Sequence, residues 1–275
     1  MNNHRNFAGN IILSNTSITN NQQNYSIQMN RNEHKLHKVE NAKIMNSDFT
    51  CSTGVDDKCR LNDKIDFTAR LPYNYLKSLE ADDQVTAADT TNFPKNNHHA
   101  ANAQIAMSWM PNHKLSVSAF VAQKTRFTTL RERHSYKMEQ ELFKLNFQSV
   151  KAAHCYISFQ YNLLRKLPID GSIHHIRLND VIKSECGVQG NLIQLQNAGK
   201  SRFNGADLSL HFALLYNLDL TASYSFIIQK KNSNPSCGIV TNEFHLFNLQ
   251  GSASRKQFTL FAGIKNLFDA NYAYA

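Results

Sequence analysis

Residues 207 to 229 alternate between apolar and polar side chains almost without interruption. Leu208, Leu210, Phe212 and Leu214 take one parity; Asp207, Ser209, His211 and Ala213 take the other. After Tyr216-Asn217, the residues Leu218, Leu220, Ala222, Tyr224, Phe226 and Ile228 alternate with Asp219, Thr221, Ser223, Ser225, Ile227 and Gln229. Successive side chains of a strand face opposite sides, so this stretch predicts a hairpin with one apolar and one polar face.

The same period recurs. Ala103, Ile105, Met107 and Trp109 share a face, and Pro111-Asn112-His113 turns into Leu115, Val117, Ala119 and Val121. Ile157, Phe159, Tyr161 and Leu163 lead through Leu164-Arg165-Lys166 to Leu167, Ile169, Gly171 and Ile173. Phe247, Leu249, Gly251 and Ala253 lead through Ser254-Arg255-Lys256 to Phe258, Leu260, Ala262 and Ile264. About eight strands result, most of roughly 9 to 11 residues, enough to cross a bilayer when tilted. Tight turns near 111–113, 164–166, 216–217 and 254–256 alternate with longer polar stretches near 125–152, 178–200 and 230–243. Outer-membrane barrels alternate in this way because their periplasmic turns are short and their extracellular loops long. A soluble β-sandwich has no such obligation. The expected fold class is all-β: an antiparallel meander of long amphipathic strands, part of a transmembrane β-barrel, open or incomplete.

Residues 1–64 are polar, with twelve Asn among the first fifty, and hold neither helical nor strand periodicity for long. They are expected to be irregular, with the barrel region at 65–275. No run of about 18 apolar residues exists, so a transmembrane helix is not expected. Ile11-Ile12-Leu13 is too short for a signal-peptide core, which leaves either a missing amino end or a chain that stays inside the cell. The net charge is +9, a balance that suits anionic partners. The Lys and Arg residues are spread out, however, and the densest cluster, Lys124 to Arg133, includes Glu132. Solvated loops explain it, and no nucleic-acid partner is expected.

Five Cys are present, Cys51, Cys59, Cys155, Cys186 and Cys237. Cys51 and Cys59 could close a loop disulfide in an extracellular segment. No Cys-x-x-Cys spacing supports a zinc or redox site. His98-His99, His174-His175 and His34-x-x-His37 invite a metal reading. Adjacent His on a strand point to opposite faces, so polar loop or lumen positions are the expectation and no metal residue is assigned. Asp207, Ser209 and His211 share a polar face, yet two-residue steps along one strand place them about 7 Å apart in a line. A catalytic triad needs hydrogen-bond contact, so no catalytic residue, no cofactor and no enzyme activity are expected. Tyr216, Tyr224, Tyr272 and Tyr274 are candidates for an interfacial aromatic girdle.

Four segments, Trp109 to Val117, Arg126 to Arg133, Asn197 to Asp207 and Gly263 to Asp269, in that order resemble the second half of the barrel in TonB-dependent outer-membrane receptors. Trp109-Met110-Pro111-Asn112 with Leu115-Ser116-Val117 resembles their strand-turn-strand pattern. Arg126-Phe127-Thr128-Thr129-Leu130-Arg131-Glu132-Arg133 resembles their Phe-Arg-x-Pro-Thr-Leu-x-Glu stretch, without its Pro. Asn197 to Asp207 resembles their Asn-x-Gly-x-Ala-x-x-x-Gly-x-Glu motif. Gly263-Ile264-Lys265-Asn266-Leu267-Phe268-Asp269 resembles the string before their last strand. The resemblance covers about 65–275. It implies outer-membrane lipid, TonB and a scarce nutrient (a siderophore or other iron chelate, haem, cobalamin or a metal) as ancestral partners. The plug and TonB box have no counterpart here, and one more strand is expected after Ala275, so a fragment or decayed copy is the expectation.

An open sheet in lipid leaves unpaired edge groups that each cost several kcal/mol. Transport by the chain alone is therefore not expected. The alternative is a soluble or surface β-sheet binding protein whose basic loops hold an anionic partner.

Overall fold

The computed structural model describes residues 2–37, 43–86, 89–92, 95, 97–129, 132, 141–142, 147–164, 167–186, 193–215, 217–232 and 243–270. Its strands are β1 (Asn2–Asn15), β2 (Asn21–His37), β3 (Lys43–Asn62), β4 (Ile65–Thr86), β5 (Asp89–Asn92), β6 (Asn97–Ala101), β7 (Ala103–Asn112), β8 (Leu115–Arg126), β9 (Glu141–Leu142), β10 (Val150–Leu164), β11 (Leu167–Cys186), β12 (Ile193–Leu215), β13 (Leu218–Asn232), β14 (Glu243–Arg255) and β15 (Phe258–Ile264). One antiparallel path of twelve strands runs β1-β2-β3-β4-β7-β8-β10-β11-β12-β13-β14-β15. The short β5 and β6 pair with β4, and β9 lies parallel to β12. Among the described residues, β1 and β15 are each paired on one side only.

The eight strands expected from alternation are β7, β8 and β10 to β15. Two expectations need correction. The described residues of 1–64, expected to be irregular, form three long strands instead, and β3 continues the ladder directly into β4. Their alternating apolar sets, Ile11 and Leu13 on β1 and Tyr25, Ile27 and Met29 on β2, are short, so the local period is weak. Pairing supplies the signal: Ile11 opposes Ile27, and Leu13 opposes Tyr25, which opposes Val55. The stretch 178–200 is mostly strand as well, since β11 runs to Cys186 and β12 begins at Ile193.

Short turns gather at one end of the sheet and long links at the other. Asn opens three of the turns. The Asn15 Oδ1 accepts from the Ser17 amide at 3.0 Å, Asn62 Oδ1 from Lys64 at 2.9 Å, and Asn112 Oδ1 from Lys114 at 2.9 Å. This Asx bond mimics a backbone turn, so the Asn-rich composition is partly turn chemistry. At the carboxyl end Asn266 adopts φ 53°. Its amide donates to Asn248 Oδ1 at 2.9 Å, and its side chain bonds both the amide and the carbonyl of Ala270. The Lys-Asn-Leu-Phe-Asp string is thus a strand end followed by an Asn-stapled turn.

The register carries each face across the sheet. One outward row reads Ile65, Trp109, Val117, Phe159, Gly171, Leu208, Tyr224 and Phe247. The next reads Met107, Ala119, Ile157, Ile173, Ala206, Phe226 and His245. Many of these are bare: Ile173 is 69% and Ile157 53% exposed. So continuous an apolar surface is a lipid or partner surface. On β13 the apolar positions run from Leu218 to Ile228. That is about 33 Å of strand at roughly 3.3 Å per residue. Tilted by about 45°, it spans roughly 23 Å, close to the roughly 25 Å apolar band of an outer-membrane barrel. The buried residues, including Leu76, Ala122, Phe147, Val150, Thr128, Ser201 and Phe244, lie toward the long-link end.

Candidate ligand-facing wall

The face opposite the apolar band is polar for a simple reason of register. Asp66, Ser108, Ser118, Ser158, Ser172, Asp207 and Ser225 oppose one another in turn across seven strands. A second row, Ser116, Gln160, Asp170, Ser209 and Ser223, lies one step nearer the turns. These two rows line a depression with Tyr156 above them.

Hydrogen bonds tie the wall together. Ser108 and Ser118 hydroxyls meet at 3.1 Å, and Ser172 donates to Asp207 at 3.0 Å. The ring nitrogens of His211 lie 2.9 Å from Asp170 and 3.0 Å from Thr221. His174 Nδ1 lies 3.5 Å from Asp207. Above the depression three rings form a ladder: Phe120 stacks on Tyr156 at 5.2 Å, and Tyr156 on His174 at 6.5 Å. Gly205 makes room for the last of them, since a Cβ there would fall 2.3 Å from the imidazole. On the opposite face Gly171 admits the Phe159 ring in the same way.

Each residue singled out in the sequence has a definite place. Asp207 and His211 bond different partners, Ser172 and Asp170, so Asp207, Ser209 and His211 are not assembled into a relay. His174 faces the wall while His175 faces outward and bonds Asn204 at 2.7 Å. His98 opposes Leu76 and His99 opposes Tyr75, again on opposite faces. The His34 ring lies 6.3 Å from that of His4 and tilted to it by 56°, while the side chain of His37 lies outside the described residues. Among the described residues no three His, Cys, Asp or Glu converge. Cys51 and Cys59 sit on the single strand β3 and are both free. Eight residues of extended chain separate them by about 26 Å, far beyond disulfide reach, so a loop disulfide between them is excluded. Tyr224 is outward, with its hydroxyl 2.6 Å from His245 Nδ1. Tyr216, Tyr272 and Tyr274 lie outside the described residues.

Next to the wall, the link after β8 is pinned by a group the sequence announced without its role. Arg126 makes a two-pronged ion pair with Glu132, both contacts 2.9 Å. Glu132 also accepts from the Thr129 amide at 2.8 Å and its hydroxyl at 3.0 Å, and the Thr129 hydroxyl accepts from the Glu132 amide at 3.2 Å. This is the reciprocal capping box that Thr-x-x-Glu signals. Partial burial pushes the Glu132 carboxyl up, but the bonds to Arg126 and Thr129 outweigh it and hold it below the ordinary range.

No family model matches the chain, and no curated protein matches it by sequence. Solved structures do match. The FrpB iron transporter from Neisseria meningitidis aligns with 95% of this chain at TM-score 0.70 and 12% identity. The copper transporter OprC aligns with 97% at TM-score 0.71 and 14% identity. The ferric yersiniabactin uptake receptor FyuA from Yersinia pestis aligns with 94% at TM-score 0.65 and 11% identity. The chain spans 42%, 51% and 42% of those three chains respectively, about half of their length or less. These neighbours are TonB-dependent receptors. The alignment covers residues of both the barrel-like strands and the amino-terminal strands that the sequence alone left irregular. The chain therefore has the fold of the β-barrel wall of TonB-dependent outer-membrane receptors.

Proposed function

We propose that this chain forms part of the barrel wall of an outer-membrane nutrient receptor, with the polar rows facing the passage and the apolar rows facing lipid. The single observation that carries this reading is the coincidence of register and chemistry. Two cross-strand rows are apolar on one face, two are polar on the other, and the links alternate short and long. The ancestral cargo is an iron chelate, haem, cobalamin or a metal, delivered with energy from TonB. Iron, copper and siderophore uptake by the structural neighbours supports that class.

The chemistry of the wall fits passage and not turnover. Serine hydroxyls, Gln160 and the Asp–His pairs offer exchangeable hydrogen bonds to a hydrated solute. Among the described residues β1 and β15 each pair on one side only, so in lipid their outer edges need partners. Cell fractionation tests the location. The chain is expected in the outer-membrane fraction with heat-modifiable mobility. Recovery in the soluble fraction without detergent would favour a soluble β-sheet binding protein instead.

A further inference from the structure

We propose that an outward-facing basic row on β11, β12 and β13 is a binding site for the phosphates of lipid headgroups at the long-link rim of the band; the site rests on the barrel reading above. Arg177 directly opposes Arg202, and Arg202 directly opposes Lys230. All three are exposed, while Ser201 and Gln229, their neighbours on the other face, are buried. Lys151 and Lys200 are exposed nearby, on β10 and β12.

Directly opposed side chains on one face have Cβ atoms about 4.5–5.5 Å apart, and like charges in that position destabilise a sheet. Three cations in one row are therefore unfavourable unless an anion joins them. The described residues do not supply it. Among the described residues none of the five has an ion pair, and Glu243, which opposes Ile228 one step below Lys230, pairs with none of them. Elsewhere on the same face the charge is balanced internally, as where Arg31 meets Glu33 at 2.9 Å.

Height decides which anion. Lys230 is the next outward position after Ile228, where the apolar positions of β13 end. Arg177 and Arg202 share its row. The row thus sits at the edge of the band, at headgroup level and on the lipid side of the sheet. It does not face the polar wall that a passing solute would meet. A membrane phosphate monoester or diester offers oxygens to two guanidinium forks and an ammonium, the geometry that arginine recognises best.

The test is co-flotation of the folded chain with vesicles of phosphatidylcholine alone or with added phosphatidylglycerol, at low and high NaCl. The variants are R177Q/R202Q/K230Q and the charge-matched control K64Q/K114Q/K256Q, whose substitutions lie in turns at the other end. Each cation near an anionic surface favours binding by about fivefold, so the triple variant is expected to lose roughly a hundredfold of the preference at low salt. The control should keep most of it. With phosphatidylcholine alone, the triple variant should melt no lower than the unsubstituted chain, because like-charge repulsion has been relieved. Equal preference in the triple variant and the unsubstituted chain overturns the headgroup site, as does an equal loss in the control. Competition by millimolar inorganic phosphate as effective as by anionic vesicles would make it a free-phosphate site and overturn the lipid assignment. Failure to float with either vesicle would overturn the barrel reading itself.

Discussion

The imidazole of His174 lies across the bare Cα of Gly205, so close that a Cβ at position 205 would fall 2.3 Å from its Cε1 and Nε2. The backbone carbonyl of Phe226 lies 3.1 Å from the same point, so the new atom has nowhere to shift. Gly205→Ala should therefore expel the ring from its stack on Tyr156 and its approach to Asp207. Overpacking of this kind costs about 1–3 kcal/mol. Thermal melts of Gly205→Ala, His174→Ser and the double variant check it. The double variant should recover most of the loss, and strict additivity of the two single changes would contradict the close-contact account.

Glu132, in the link after β8, gives a pH-dependent prediction. Its carboxyl is held below the ordinary range by Arg126 and Thr129, against the upward push of burial. A depressed folded-state value means that the capping box contributes stability above the ordinary carboxylate pKa, about 4.3. That contribution is lost as pH falls through the lower, folded value. Protection factors of the residue 127–129 amides, taken against the intrinsic exchange rate at each pH, should thus fall on acidification. Glu132→Gln should show low protection already at neutral pH and little further loss with acid.

Asn266 should matter more than its neighbours in the closing string. It occupies φ 53° and makes three hydrogen bonds to Asn248 and Ala270. Asn266→Ala removes two of those bonds and keeps the strained backbone. A loss of about 1–3 kcal/mol follows from bonds at roughly 1 kcal/mol each plus the conformational term. Asn266→Gly should recover the backbone part only. Urea unfolding of both variants in detergent checks the order.

Cys51 and Cys59 should resist intramolecular oxidation in the folded chain, because one extended strand holds them apart. Mass spectrometry after mild oxidation and tryptic digestion should find no Cys51–Cys59 bridge in folded protein. The same treatment after urea unfolding should produce one.

Much of this fold was legible in the sequence, and the reason is the size of the signal. Apolar residues fill one parity for six positions running in β13 and for five in β12, which only a two-faced strand explains. The faces, the turns and the wall position of Ser209, His211 and Thr221 followed directly. β1 to β3 were missed because their outward apolar sets are short, Phe7, Ile11 and Leu13 on β1 and Tyr25, Ile27 and Met29 on β2, within a stretch dominated by Asn, Ser and Gln. Their strand state comes from partners far away in the chain, which local periodicity cannot see. The Asp170–His211 contact was hidden for the same reason, since a diagonal cross-strand bond depends on register. The Thr129-x-x-Glu132 box was visible in principle. It stood within a stretch read for its family resemblance, and its capping chemistry went unused.

The central claim is that alternate residues of one strand face lipid and a polar passage. Nitroxide scanning of residues 218–228 on β13 tests it most directly, with the chain in lipid vesicles and its native Cys replaced. Collision with oxygen, which concentrates in lipid, should peak at positions 218, 220, 222, 224, 226 and 228. Collision with a water-soluble nickel chelate should peak at 219, 221, 223, 225 and 227. Uniform access to the water-soluble reagent at all eleven positions, or a period near 3.6, would contradict the account.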